Sequence, residues 1–371
     1  MPKEYHRTRI LHVTFNMGFG GTEQVIRQLV SHLDPDRYEC EVACIDGEVG
    51  AIGEAMREQL GTQFHTYQRN PGFDLNAVRW LRKVIKAGNF EVVHCHQYSP
   101  YCYGWLAHWG TGVRLLFTEH GRFHPDTHRK KARLINPIMA YTTHSLIAIS
   151  EATKDALVEY EYMPRSRIQV IYNGIAPLTV NPDRQRELRE TLGIQPDETV
   201  IGTVARLDPV KNQPMILRAA QTLIEKGYKI RVIIVGDGPE MANLKSLASD
   251  LNIESNTNFT GFQSTPGDYL SLMDIFLLPS YTEGTSMTLL EAMSLGIPVV
   301  ATRVGGTPEI VSHAETGLLI GSDNLKAFTA AIEELIDHPE MCVSMTKTSK
   351  DLFMKKLSAA VMLEAYKKNI K

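Results

Sequence analysis

Residues 281 to 309 read Tyr-Thr-Glu-Gly-Thr-Ser-Met-Thr-Leu-Leu-Glu-Ala-Met-Ser-Leu-Gly-Ile-Pro-Val-Val-Ala-Thr-Arg-Val-Gly-Gly-Thr-Pro-Glu. The apolar run Ile275 to Leu278 just before them reads as a buried strand closed by Pro279. Glu283 and Gly284 then fall in a loop at a strand's carboxyl end, where open α/β sheets bind ligands. Ser286 is the expected N-cap of the next helix, with Met287, Leu290, Met293 and Leu295 as its apolar face and Gly296 and Pro298 as its stop. Glu291 lies inside that helix, with seven residues between it and Glu283. Gly284 lets the backbone pass close to a ligand, and the free N–H groups at the helix start, around Thr285, Ser286 and Met287, suit a phosphate. Two carboxylates flanking an anion site suit a ligand with phosphates in its middle and hydroxyls at both ends, the shape of a sugar nucleotide. Two solvated glutamates on an ordinary helix satisfy the same spacing.

Taken whole, the string resembles the donor-binding motif of retaining glycosyltransferases of family GT4. The resemblance implies that Glu283 contacts the donor hexose and Glu291 the ribose hydroxyls. It also implies the GT-B arrangement, an α/β fold of two doubly wound Rossmann-like domains facing a cleft. One departure is Thr285-Ser286-Met287, where the family commonly carries an aromatic or aliphatic residue and a glycine. Backbone donation to phosphate survives that change, and the identity of the donor sugar is left open.

Length and composition agree with two domains. At 371 residues the chain exceeds one ordinary core, and 43% hydrophobic with 22% charged residues are globular values. A net charge of −3 argues against nucleic acid as a partner. The charged N-terminus runs into a short strand rather than a signal-like apolar core, and no apolar run approaches a membrane span. Five cysteines without a C-x-x-C point to a reduced, cytoplasmic setting, with peripheral contact at the inner membrane face left open.

In the N-terminal half, Ile10 to Phe15 reads as a strand, followed by the glycine-rich turn 16–21 and a helix capped by Thr22. Glu23 stands where G-x-G-x-x-G requires its third glycine, so a dinucleotide site is disfavoured although Asp46 ends the second strand. Gly20 and Gly21 either make a tight turn or let a diphosphate or acceptor approach the backbone, as in the N-terminal glycine loop that the stretch resembles. Further strands near 39–45, 62–66, 91–94, 113–118, 145–149 and Ile168 to Tyr172 alternate with helices, the pattern of a doubly wound parallel sheet. His94 and His96 point the same way from one strand. With His120 and a cysteine they raise a metal alternative, but no acidic or thiolate ligand falls at a recognisable spacing, and no metal is assigned. The string Thr118-Glu119-His120-Gly121 resembles the family's N-domain histidine, which implies that His120 bonds near the donor sugar. Arg122, Arg129, Lys130 and Lys131 belong to the strongest basic cluster, beside Leu134, Ile135, Ile138 and Met139. That segment reads either as a solvated loop with a core-packing helix or as a surface for an anionic, lipid-linked acceptor.

Asn173-Gly174-Ile175-Ala176-Pro177 breaks the pattern, so the boundary is expected there: 1–173 as the acceptor-side domain and 174–355 as the donor domain, with a terminal helix 356–371 packing back on the first. Arg206 and Lys211 follow the strand Thr199 to Ala205, where their charges can meet a diphosphate. They resemble the family's Arg and Lys that hold the leaving diphosphate. Gly236 and Gly238, with Pro239 starting a helix, and Gly261-Phe262 resemble the loops near the ribose and base, and both also read as plain strand–helix turns. Gly305-Gly306 permits close approach below the donor.

The resemblance therefore implies a metal-independent, retaining hexosyltransferase. It takes a nucleotide-diphosphate sugar, by default a UDP-sugar, carries a hexose or N-acetylhexosamine to a glycan or lipid-linked acceptor, and has no cofactor. The rival readings are a sugar-nucleotide 2-epimerase, which converts donor without acceptor, and a non-catalytic sugar-nucleotide-binding scaffold.

Overall fold

The computed structural model describes residues 6–371 apart from 19, 48, 122–127 and 129–131. It divides into two compact units, Met1–Gly174 with Ala359–Lys371, and Ile175–Ser358. The first unit holds β1 (Thr8–Thr14), β2 (Tyr38–Cys44), β3 (Phe64–Thr66), β4 (Val92–His96), β5 (Arg114–Glu119), β6 (Ser145–Ala148) and β7 (Ile168–Val170). They form one parallel sheet in the order β3-β2-β1-β4-β5-β6-β7. Because side chains alternate along a strand, Leu11, Val13, Val93, Cys95 and Phe117 enter one apolar layer. His12, His94, His96 and Thr118, buried as well, occupy the intervening positions. Strand order reverses between β1 and β4, the switch point at which such sheets open a crevice.

The helix Ala359–Ile370 completes this unit and buries Met362, Leu363 and Tyr366. Its Tyr366 hydroxyl lies 3.3 Å from Thr118 Oγ1, and the Asn369 side-chain oxygen accepts from Ser145 Oγ at 2.7 Å. A cap at Thr22 is not formed. The helix Gly21–His32 starts two residues earlier, with extended Gly20 as N-cap, and Thr22 is buried and accepts from Gln97 Nε2 at 3.2 Å. The hydroxyl is drawn to a tertiary partner instead of to its own helix.

The second unit holds β8 (Thr199–Val204), β9 (Ile230–Val235), β10 (Thr257–Gly261), β11 (Ile275–Leu278), β12 (Val299–Thr302) and β13 (Leu318–Ile320). The parallel order is β10-β9-β8-β11-β12-β13, so its switch point lies between β8 and β11. A leading helix, Pro182–Thr191, is capped by Asn181, whose side chain accepts from the N–H groups of Asp183 and Arg184. Pro239 does not open the next helix. That helix runs Met241–Asp250, because the N–H of Glu240 is bonded to Leu207 O and holds the preceding turn out of helical register.

The helix Ala132–Thr142 bears on the two readings of its apolar stripe. It buries Ala132, Asn136, Met139 and Ala140, while Leu134, Ile135, Ile138 and Tyr141 are 77%, 52%, 58% and 64% exposed. Asn136 takes the core-facing position because its amide is satisfied there. It accepts from Tyr98 OH at 2.7 Å and donates to the Glu161 carbonyl at 2.9 Å. Three of the four stripe residues, Leu134, Ile135 and Ile138, therefore face outward, against the core-packing alternative.

Candidate active site

In the second unit, the loops after β8 and β11 flank the switch point. The turn after β8 is fixed by Asp208, whose carboxylate accepts from Val210 N and pairs with Arg206, and by Gln213 Nε2, which donates to Arg206 O. Arg206 stays largely exposed, with its guanidinium held by Asp208. Lys211 ends a short 3-10 turn, and its Nζ donates to Glu283 Oε1 at 2.7 Å. Ser280 Oγ donates to the same oxygen at 2.7 Å, and the Glu283 side chain is only 7% exposed. Both donors satisfy an oxygen that the fold has taken out of water. Tyr281 N bonds Val210 O at 2.8 Å, which ties the two loops together at the backbone.

The helix after β11 runs Met287–Leu295, and Ser286 caps it by accepting from Leu289 N at 3.3 Å, as predicted. Thr285, Ser286 and Met287 are buried at its start, Gly284 is half-buried in the loop, and Glu291 is half-buried one turn on. Gly305 serves a different contact from the expected ligand approach. At φ +49° its Cα lies so near the loop that an added Cβ would stand 1.8 Å from Glu283 O, while Gly306 N donates to that oxygen at 3.1 Å. The glycine pair seats the Glu283 backbone. Gly236, at φ +131°, does the same for the other loop, where a Cβ would stand 1.9 Å from Ala205 O. Gly238 follows it against Leu207, Gly261 ends β10, and Phe262 is 48% exposed.

In the first unit, Gly20 and Gly21 lie exposed at a helix start close to the switch point. Glu23 in that first turn has its carboxyl raised by burial. His120 follows β5, and its Nε2 lies 2.9 Å from His96 Nδ1. His96 Nε2 in turn lies 3.0 Å from His12 Nδ1. His12 was not singled out by sequence, because it stands alone in an apolar strand. Only the β1–β4 register, which sets it opposite His94, makes it part of a cluster. Burial pushes His12 and His120 down to about 3, and it holds His94 and His96 well below the usual imidazole range, helped by the neighbouring histidines. All four rings are therefore neutral at physiological pH. The metal alternative gains His12, since ring nitrogens of His12, His94 and His96 lie within 4.8 Å of one another. Cys95, however, points into the opposite apolar layer. The basic positions Arg122, Arg129, Lys130 and Lys131 lie outside the described residues.

Comparison with known proteins follows this geometry. Residues 184–352 match the model of glycosyl transferases group 1, and residues 19–177 match that of glycosyltransferase family 4. A D-inositol 3-phosphate glycosyltransferase of Rhodococcus opacus (strain B4) is 30% identical over 302 residues, covering 76% of this chain and 68% of the relative. A UDP-Gal:alpha-D-GlcNAc-diphosphoundecaprenol alpha-1,3-galactosyltransferase of Escherichia coli is 26% identical, covering 91% and 90%. Among solved structures, Anabaena HepE in complex with UDP superposes with a TM-score of 0.86 at 20% identity, over 98% of this chain and 99% of that one.

Proposed function

The chain belongs to glycosyltransferase family 4 and has the GT-B fold, and from that premise we propose a retaining, metal-independent transfer of a hexose or N-acetylhexosamine from a UDP-sugar to a glycan or lipid-linked acceptor in polysaccharide or glycolipid biosynthesis. The observation that carries this reading is the Lys211–Glu283 pair, 2.7 Å apart beside a capped helix start at a switch point. An ammonium has three donors, and one is used by Glu283. The others can meet a diphosphate as negative charge builds on it. Arg206 adds a second cation, and the N–H groups from Gly284 to Met287 add fixed dipoles. Glu283 then takes sugar hydroxyls, Glu291 the ribose hydroxyls, and the loops at Gly236, Gly238, Gly261 and Phe262 the nucleoside. His120, with Gly20 and Gly21, is assigned to contact with the sugar nucleotide, as the family resemblance implies. The acceptor hydroxyl attacks from the face that the diphosphate leaves, and the leaving phosphate takes its proton. UDP is supported as the nucleotude class by analogy with HepE, which binds UDP.

The test is diphosphate release from a panel of UDP-, GDP- and ADP-sugars without acceptor, in the presence and absence of chelator. Slow release from one UDP-sugar, unchanged by chelation, is expected. No release and no ligand-induced thermal shift with any donor overturns the reading, and chelator-abolished turnover rescued by a divalent ion overturns its metal independence.

The acceptor side is assigned to the helix Ala132–Thr142. Four large apolar side chains stand exposed there with Arg133, and in the sequence the helix follows the basic positions 122, 129, 130 and 131. An exposed apolar face in a basic stretch of the sequence suits an anionic membrane surface. Each apolar side chain buried in lipid contributes about 1.5–3 kcal/mol. The double variant Leu134→Glu, Ile138→Glu should thus bind phosphatidylglycerol-containing vesicles at least about tenfold more weakly in a flotation assay. Equal flotation of variant and parent removes the membrane assignment.

A further inference from the structure

Three of the buried histidines form a chain with a property that none has alone. His12 Nδ1 meets His96 Nε2 at 3.0 Å, and His96 Nδ1 meets His120 Nε2 at 2.9 Å. A neutral imidazole carries one N–H and one lone pair. Two bonds in series among three neutral rings can form in only two ways, with every proton on the same side. Either the chain donates from His12 through His96 to His120, which leaves the His120 proton on Nδ1, or it runs backwards and leaves a proton on His12 Nε2. Any mixed pattern sets two lone pairs or two N–H groups against each other. The tautomers of the three rings are thus coupled.

Both terminal nitrogens, His12 Nε2 and His120 Nδ1, are buried and have no partner among the described residues. One end must therefore hold an unmet N–H until a ligand arrives. His12 is fully enclosed, whereas His120 is only half-buried as a residue and directly follows β5 at the carboxyl edge of the sheet, where such sheets bind ligands. A buried lone pair is tolerated more readily than an orphan N–H, so the proton belongs at the end a ligand can reach. Bonds in series also polarise one another, which strengthens the terminal donor. The ring planes are set from the other side. His94 lies 4.1 Å from His96 by ring centroid, and its Nε2 lies 2.8 Å from Thr118 Oγ1.

We infer that His12 and His96 are positioning residues that fix the tautomer of His120, so that its Nδ1–H is presented to an acceptor oxygen of the bound sugar nucleotide. The inference rests on the assignment of His120 to the sugar site. A metal ion among His12, His94 and His96 is the competing use of the cluster, and it would have to break the His12–His96 bond or approach by the outer nitrogens.

The experiment pairs ring-nitrogen NMR of the full chain, labelled at histidine, with two substitutions at position 96. Asparagine places its amide near the former Nδ1, and glutamine near the former Nε2. In the parent protein, His120 should carry its proton on Nδ1 and accept at Nε2. His96→Asn should keep that tautomer and stay within a fewfold of parental kcat/KM. His96→Gln, folded by the same melting criterion, should lose the tautomer and about 10²-fold in kcat/KM, the scale of a misplaced catalytic contact. His12→Asn should behave like His96→Asn, and His12→Leu like His96→Gln. A proton found on His120 Nε2 with donor bound, equal kinetics for the Asn and Gln variants, or uptake of one zinc ion with loss of the ring pattern each overturn the inference. Failure of the parent to turn over any nucleotide sugar would instead sink the functional reading, and the NMR pattern of the parent would still decide the coupling.

Discussion

Replacing Lys211 by alanine should lower kcat/KM for the nucleotide sugar by about 10²–10³, the range for losing one preorganised charge-stabilising donor. Most of the loss should appear in kcat, because phosphate charge grows as the glycosidic bond breaks. A second consequence follows from Glu283. In the parent its carboxylate is 7% exposed and accepts from both Lys211 Nζ and Ser280 Oγ. Without the lysine, a nearly buried anion keeps only the serine and repels an incoming diphosphate. Breaking a buried pair on one side costs about 3–5 kcal/mol, and less here because the Lys211 side chain is 25% exposed. The double variant Lys211→Ala, Glu283→Gln should therefore recover much of the lost stability in urea unfolding while recovering no turnover. A single variant within threefold of parental kcat/KM would remove Lys211 from the mechanism, and a double variant as unstable as the single would remove the buried-anion argument.

Mild acid should destabilise the first unit by several kcal/mol. Its His12, His94, His96 and His120 are held neutral by burial, with folded values about 3 for His12 and His120 and well below 6.5 for the others. The unfolded chain takes up protons at these histidines below about 6.5, and the folded chain does not. Stability is present above pH 6.5 and falls as the pH drops toward the folded values. Linkage sets the loss at about 1 kcal/mol per histidine between pH 6.5 and 5.5, or about 4 kcal/mol for the four. That is a large share of the roughly 5–15 kcal/mol of a typical domain. His108 and His144, also lowered by burial, add to the same sign. Glu23, raised by burial, works the opposite way and offsets part of this loss. All three tryptophans, Trp80, Trp105 and Trp109, lie in the first unit, so tryptophan fluorescence reports its unfolding alone. The urea midpoint of that signal should fall steeply from pH 7.5 to 5.5. A constant midpoint would mean that the histidines are solvated or already charged in the folded protein.

Much of this molecule is legible one segment at a time. The strand Ile275–Leu278, the Ser286 cap and the Gly296 stop follow from local apolar spacing and turn chemistry, and the structure forms each of them. The loop positions of Arg206, Lys211, Glu283 and His120 follow from the same rule, since each comes directly after a strand. A parallel sheet places the loops after its strands at one edge, so position along the chain already sets Arg206, Lys211 and Glu283 at one edge of the second unit's sheet and His120 at the corresponding edge of the first. Glycine was harder to read. Gly236 and Gly305 mark close approaches, but the approaching atoms are Ala205 O and Glu283 O rather than a ligand, and a sequence shows the need for space without showing what fills it.

Periodicity and spacing along the chain thus determined two doubly wound units, their strands and the loops that bear function. Tertiary structure alone decided which side chains meet. His12 and His96 are 84 residues apart, and Lys211 and Glu283 are 72 apart. Parallel strands are joined through crossovers, so neighbours across the sheet carry no local signature of one another. The outward face of the helix Ala132–Thr142 was decided the same way. Its apolar residues look alike in sequence whether they face core or solvent, and only the bonds made by Asn136 turned that amide inward and left Leu134, Ile135 and Ile138 exposed.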